Sequence, residues 1–141
     1  MSSASHTHGF RVALHDTDAA GVLFYAHLFR HAHDAYEAFM ASIGWSLDAM
    51  IRGRELALPL VHAEADYRRP MRHGDQVQVA VTVADLARAR FTIRYRFTAP
   101  GGELLASART IHAAIHPDGG RPTPLPPGLA AALWASREPA G

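Results

Sequence analysis

The chain has 141 residues, of which 48% are hydrophobic and 19% charged, a composition typical of one globular domain. Its 14 basic and 13 acidic residues leave a net charge of +1, which indicates no surface for nucleic acid or an anionic membrane. Because cysteine is absent, disulfides, thiolate metal sites and a cysteine nucleophile are excluded. The first ten residues do not resemble a secretory signal and no apolar run could span a bilayer, so we expect a cytoplasmic protein.

The first half of the chain predicts one strand and one long helix. Residues 1–8 are small and polar and are expected to form a flexible tail ahead of a single domain at 9–137. Alternation at 10–14 favours a short strand, which a turn-rich segment at 15–21 ends. Apolar residues then recur at helical spacing until Gly44, which predicts the end of the helix. These apolar positions are Leu28, Phe29, Ala32, Tyr36, Phe39, Met40 and Ile43.

The second half alternates with a period of two, which predicts strands. The predicted strands lie at 61–68, 77–84, 91–98 and, after the turn Pro100-Gly101-Gly102, 103–116. A loop rich in Pro and Gly at 117–128 precedes a short helix at 129–135. One strand, a long helix and four strands in a meander predict an α+β fold, with an antiparallel sheet packed on the helix. Because one helix leaves such a sheet with an open edge, we expect dimerisation through an edge strand.

The segment HDTDAAGVLFYAHLF at 15–29 carries the candidate chemistry. Asp16 and Asp18 lie on a turn just before the helix, and Gly21 allows close approach to the backbone. Free N–H groups at a helix N-terminus can stabilise an oxyanion, and a nearby carboxylate can attack a carbonyl or activate a water. An Asp in such a turn is more often only an N-cap or an Asx-turn residue, so the residues alone leave both interpretations open.

The string DTDAAGVLFYA, followed by a helix that contains AYE, resembles the signature of the 4-hydroxybenzoyl-CoA thioesterase family. HDAYEA at 33–38 and LPLVHAEADYRRPMRHGD at 58–75 are similar in particular to the 1,4-dihydroxy-2-naphthoyl-CoA hydrolases of that family. The resemblance implies a hotdog fold, in which an antiparallel five-stranded sheet wraps around one long central helix. It also implies hydrolysis of an acyl-CoA thioester, aromatic in the first instance, by a homodimer or homotetramer without metal or cofactor.

The resemblance implies roles for four residues of this segment. Asp18 matches the family's catalytic carboxylate, which acts as nucleophile or as general base. The backbone N–H of Tyr25 matches the group that polarises the thioester carbonyl. Gly21 matches the glycine that admits the acyl group against the backbone, and Asp16 is interpreted as a turn-building residue.

Arginines are the candidates for binding the CoA phosphates. Arg88 and Arg90 lie on the turn where this family commonly holds them, although turn arginines are more often only solvated. We rank this pair ahead of the cluster Arg68, Arg69 and Arg72.

Ten histidines raise the possibility of a metal site. His27 and His31 have a spacing used for zinc, but Arg30 rather than Glu lies between them, so we expect no metal and place His27 at the border of the active site.

Two alternative functions stay open. One is a hotdog dehydratase or hydratase, which pairs an Asp with a downstream His, and the other is a non-catalytic acyl-CoA binding protein.

Overall fold

The computed structural model describes residues 6–139. Its elements in chain order are β1 (His6–Arg11), a 3-10 turn (Leu14–Asp16), α1 (Tyr25–Ser42), α2 (Leu47–Gly53), β2 (Leu60–Tyr67), β3 (Gln76–Leu86), β4 (Arg90–Thr98), β5 (Leu104–Ala113) and α3 (Pro127–Ala135). The five strands form one antiparallel sheet around the long helix α1, which confirms the expected α+β class and the hotdog arrangement.

The strand order is β1-β3-β4-β5-β2, so the predicted meander is wrong for β2. Strand β1 occupies the edge of β3, where Phe10 lies opposite Val77. Because that edge is taken, β2 crosses the sheet and pairs with the free edge of β5, with Tyr67 opposite Ala106. The crossover leaves β2 as an outer strand.

Several element bounds differ from the sequence prediction. Strand β1 begins at His6, inside the segment 1–8 predicted to be a flexible tail; residues 1–5 of that segment lie outside the described residues. Helix α2 was not predicted; its N-cap Ser46 accepts a hydrogen bond from the backbone N–H of Ala49 at 3.4 Å. Strand β5 ends before residue 116, because Ile115 leaves the ladder to bridge the segments on either side.

The core lies between α1 and one face of the sheet. Helix α1 buries the residues that recur at helical spacing, and β3 and β4 bury every second residue. The buried side chains of these strands are chiefly Val77, Val79, Val81, Val83, Phe91, Ile93, Tyr95 and Phe97. Within residues 6–139, no helix is both long and apolar enough to cross a membrane.

Strand β2 is the exception to this burial pattern. All of its residues except the half-buried Ala65 are exposed, on both faces of the strand. Leu60 and Val61 each leave 51% of their surface exposed, which is unusual for large apolar residues in a strand.

Candidate active site

The carboxylate of Asp16 fastens the turn that carries Asp18 to helix α1. Asp16 is 1% exposed, and its Oδ2 accepts a hydrogen bond from the backbone N–H of Ala13 at 2.9 Å. Nε2 of His31 lies 3.1 Å from the same oxygen, and the guanidinium of Arg30 donates to Oδ1. Because Arg30 and His31 both belong to α1, these bonds hold the turn against the first two turns of the helix.

The surroundings of this cluster favour an ionised Asp16 and a neutral His31. Burial opposes ionisation of Asp16, but the hydrogen bonds from Ala13 and His31 and the nearby Arg30 charge hold its pKa below the ordinary value. Burial lowers the pKa of His31 despite the adjacent carboxylate. Phe10 of β1 stacks on the His31 imidazole with 3.7 Å between ring centroids, so the cluster is also packed against the sheet.

Asp18 uses one carboxylate oxygen in the turn and leaves the other free. Its Oδ1 accepts hydrogen bonds from the backbone N–H of Ala20 at 2.9 Å and of Val22 at 3.4 Å. Gly21 closes this turn in the left-handed region, with φ at 78°. Within residues 6–139, Oδ2 of Asp18 has no hydrogen-bond partner, and the residue is exposed. Asp18 is therefore an Asx-turn residue that keeps one oxygen available for chemistry.

The start of α1 offers two free backbone donors. The N-cap residue Phe24 makes no side-chain capping bond, and its own N–H donates to the carbonyl of Asp16 at 2.9 Å. The N–H of His27 donates to the Phe24 carbonyl at 2.9 Å. The N–H groups of Tyr25 and Ala26 have no acceptor in the described part of the chain. They point along the helix axis at its positive end, where an oxyanion is stabilised.

A cleft of about 470 Å³, the Asp18 cleft, connects these groups. It is lined by Asp18, residues 22–25 and residues 67–71. Two hydrogen bonds of Leu23 join the two walls. The Tyr67 hydroxyl donates to the Leu23 carbonyl at 3.5 Å, and the Leu23 N–H donates to the Met71 carbonyl at 2.7 Å. Burial, together with the negative charge of Asp18, raises the pKa of Tyr67 to about 12. The cleft thus places Asp18, which has a free carboxylate oxygen, and Tyr25, the first residue of α1 with a free N–H group, along one opening.

The structure brings together only some of the predicted site residues. Asp18 and Tyr25 line the Asp18 cleft and Gly21 shapes its turn, whereas the half-buried His27 does not line it. Two arginines of the lower-ranked cluster, Arg68 and Arg69, do line it.

Arg88 and Arg90 lie at the other end of the sheet. Arg90 pairs with Ala113, beside the start of β2, whereas the Asp18 cleft lies where β2 ends. The seven residue steps from Leu60 to Tyr67 span roughly 23 Å. Arg88 and Arg90 are therefore remote from Asp18 of their own chain, and their phosphate-binding role stays a prediction.

The sequence reasoning missed the pairing of Arg30 and His31 with Asp16. A signal was present, because His31 falls on the apolar face of α1, next to Ala32 and one turn after Leu28. A polar residue on a buried face requires a partner. Within the described residues, no group of three or more His, Asp or Glu side chains is placed to hold a metal ion.

Comparison with known proteins identifies the family. Residues 12–133 match the model of the thioesterase-like superfamily. A 1,4-dihydroxy-2-naphthoyl-CoA hydrolase from Rippkaea orientalis is 40% identical over 116 residues, which cover 81% of this chain and 84% of the relative. The hydrolase of the same name from Synechococcus elongatus is 39% identical over 112 residues, or 79% and 82% of the two chains. The crystal structure of a 1,4-dihydroxy-2-naphthoyl-CoA thioesterase from Synechocystis has a TM-score of 0.86 and 33% identity, covering 95% of this chain and 98% of that one. The chain therefore belongs to the thioesterase-like superfamily.

Proposed function

We propose that the protein hydrolyses the thioester bond of an aromatic acyl-CoA to release the free acid and CoA. Asp18, with its free Oδ2, lines one cleft with Tyr25, where the free N–H groups of α1 begin, and this arrangement carries the proposal. The relatives from Rippkaea orientalis and Synechocystis support 1,4-dihydroxy-2-naphthoyl-CoA as the first substrate to test, with 4-hydroxybenzoyl-CoA as the second.

The groups of the cleft fit acyl transfer to water. The thioester carbonyl oxygen accepts hydrogen bonds from the N–H groups of Tyr25 and Ala26, which stabilise the negative charge that develops on it. Oδ2 of Asp18 either attacks the carbonyl carbon or takes a proton from a water that attacks it. The tetrahedral intermediate then expels the CoA thiolate. In the first route a water then hydrolyses the mixed anhydride and restores the carboxylate, whereas in the second the proton on Asp18 passes to the departing thiolate.

A homodimer formed through β2, alone or as half of a homotetramer, is the assembly we propose. The exposed residues on both faces of β2 and its unpaired outer edge support this arrangement. In an antiparallel pair of β2 strands, the start of one strand lies beside the end of the other. The partner's Arg88 and Arg90 then approach the Asp18 cleft, where they can bind the CoA phosphates alongside Arg68 and Arg69. The cytoplasmic location predicted from the sequence stays a prediction.

Release of free thiol from a panel of acyl-CoAs tests the proposed activity. Replacing Asp18 with Asn or Ala is expected to lower kcat by at least about a hundredfold, as the loss of a catalytic base does elsewhere. Asp48→Asn is the matched control, because Asp48 is also exposed but lies on α2 and lines neither the Asp18 cleft nor the Arg88–Arg90 turn. Rates like those of the wild type in Asp18→Ala would refute the role of Asp18. A single turnover in ¹⁸O-water separates the two routes, since label in the Asp18 carboxylate requires the anhydride.

A further inference from the structure

A second cavity lies at the opposite end of β2 from the Asp18 cleft. This space, the α2 cavity, has a volume of about 440 Å³ and is enclosed by α1, α2, the segment before β2 and the segment after β5. Its walls are chiefly aliphatic and include Leu47, Met50, Leu56 and Ile115. Tyr36 of α1 also lines it. An apolar cavity with few polar groups is typical of a small-molecule binding site.

The hydroxyl of Tyr36 is buried without a hydrogen-bond partner in the described chain. The residue is 1% exposed, and two imidazole rings stack on its ring, His112 at 4.2 Å and His33 at 5.7 Å between centroids. This stacking fixes the ring and with it the position of the hydroxyl oxygen. Burial also raises the pKa of Tyr36, which keeps the hydroxyl neutral and able to donate.

No contact among residues 6–139 explains why this position carries a hydroxyl. A phenylalanine would make the same ring stacking, and a buried polar group without a partner is disfavoured. A buried water would need two or more polar partners, whereas the other polar side chains that line the α2 cavity, His33 and Arg54, are exposed. The missing partner is therefore best supplied by a molecule that enters the cavity.

We infer that the α2 cavity holds the aromatic ring of the acyl group and that Tyr36 hydrogen-bonds a ring hydroxyl of the substrate. This inference rests on the proposed function. The two ends of β2 lie roughly 23 Å apart in one chain, too far for one acyl group to span. The antiparallel β2 pair brings the α2 cavity of the partner beside the Asp18 cleft. Tyr36 is then a residue that selects among aromatic acyl groups without taking part in the hydrolysis.

A pair of substrates that differ by one hydroxyl tests the inference. The values of kcat/KM are compared for 1,4-dihydroxy-2-naphthoyl-CoA and 1-hydroxy-2-naphthoyl-CoA. The wild type is expected to prefer the dihydroxy substrate, and Tyr36→Phe to lower its kcat/KM by about 5- to 100-fold while leaving the monohydroxy substrate within about twofold. Tyr95→Phe is the matched control, because the buried Tyr95 hydroxyl already pairs with Thr110 at 2.8 Å. It should leave the ratio of the two substrates unchanged.

Stability and a second variant complete the test. Tyr36→Phe is expected to have the same or a higher Tm, since it removes an unpaired hydroxyl. Met50→Trp, which fills the cavity from α2, should lower kcat/KM for both substrates. A wild type that cleaves no acyl-CoA overturns the proposed function itself. A wild type that cleaves both substrates equally, or a Tyr36→Phe variant that keeps the wild-type ratio, overturns the inference alone. A lowered Tm with an unchanged ratio would show that the hydroxyl is structural.

Discussion

Replacing Asp16 tests whether its buried carboxylate holds the catalytic turn in place. Asp16→Ala removes the acceptor of three hydrogen bonds, from Ala13, Arg30 and His31. Arg30 is half exposed and can be rehydrated, but the side chain of His31 and the Ala13 N–H lose their partner in a buried setting. Leaving buried hydrogen-bond donors without their acceptor in this way costs about 1–3 kcal/mol of unfolding free energy. We therefore expect Asp16→Ala to lose about that amount, and Asp16→Asn less.

The same change should also slow catalysis, because the Asp16 carboxylate holds the turn that carries Asp18 against the start of α1. A displacement of Asp18 by about 1 Å is expected to lower kcat by about 10- to 100-fold, with a smaller effect on KM. Urea unfolding with an unchanged m-value and thiol release measure the two effects.

The control for this prediction is Asp48→Ala. Asp48 pairs with Arg52 at 3.1 Å on the surface of α2, where the two side chains are 72% and 79% exposed. This variant should lose at most about 0.5 kcal/mol. If Asp16→Ala were as stable and as active as Asp48→Ala, the anchoring role of the buried carboxylate would be wrong.

Three further predictions concern pH, the turn and the arginines. Burial lowers the pKa of His112 from 6.5 to about 4, so stability is full above pH 6.5 and falls by about 3 kcal/mol as the pH approaches 4. His112→Phe should flatten this part of the urea-midpoint profile, and an unchanged slope would contradict the assignment. Gly21→Val places a branched side chain at a left-handed φ of 78°, although an added Cβ would meet no atom of the described chain within 4 Å. The backbone strain should lower the unfolding free energy by about 1–2 kcal/mol and lower kcat. A rate of thiol release equal to that of the wild type would count against this prediction. Replacing Arg88 and Arg90 with Ala should raise KM for acyl-CoA but not for the matching acyl-pantetheine, which lacks the nucleotide phosphates; an equal rise for both would exclude phosphate binding.

The periodic parts of the fold could be predicted from the sequence, and the choice of strand partners could not. The 3.6-residue period up to Gly44 located α1, and the strict alternation around Val79 and Ile93 located β3 and β4. The position of β2 depends on which sheet edge β1 leaves free, which is a contact between distant segments. Helix α2 is seven residues long and follows another helix closely, so its periodic signal is too short to distinguish.

The candidate site shows the same division. The motif around Asp18 could be predicted because its residues are adjacent in sequence. That Asp18 both closes the turn through Oδ1 and lines the cleft could not be predicted, because the opposite wall of the cleft comes from residues about 50 positions away. The hydrogen bond from Arg30 to Asp16 joins residues 14 positions apart and depends on how α1 packs against the turn. The remote position of Arg90 likewise follows from the strand register.

The bare outer strand has a consequence for how much activity a cell obtains from this chain. If Asp18 comes from one copy of the chain and the ring-binding cavity from another, a monomer contains no complete active site. Output then follows the population of paired copies, which obeys mass action. Near the dissociation constant of the pair, halving the number of copies reduces turnover by more than half. Small changes in expression would therefore be amplified at the level of product formed.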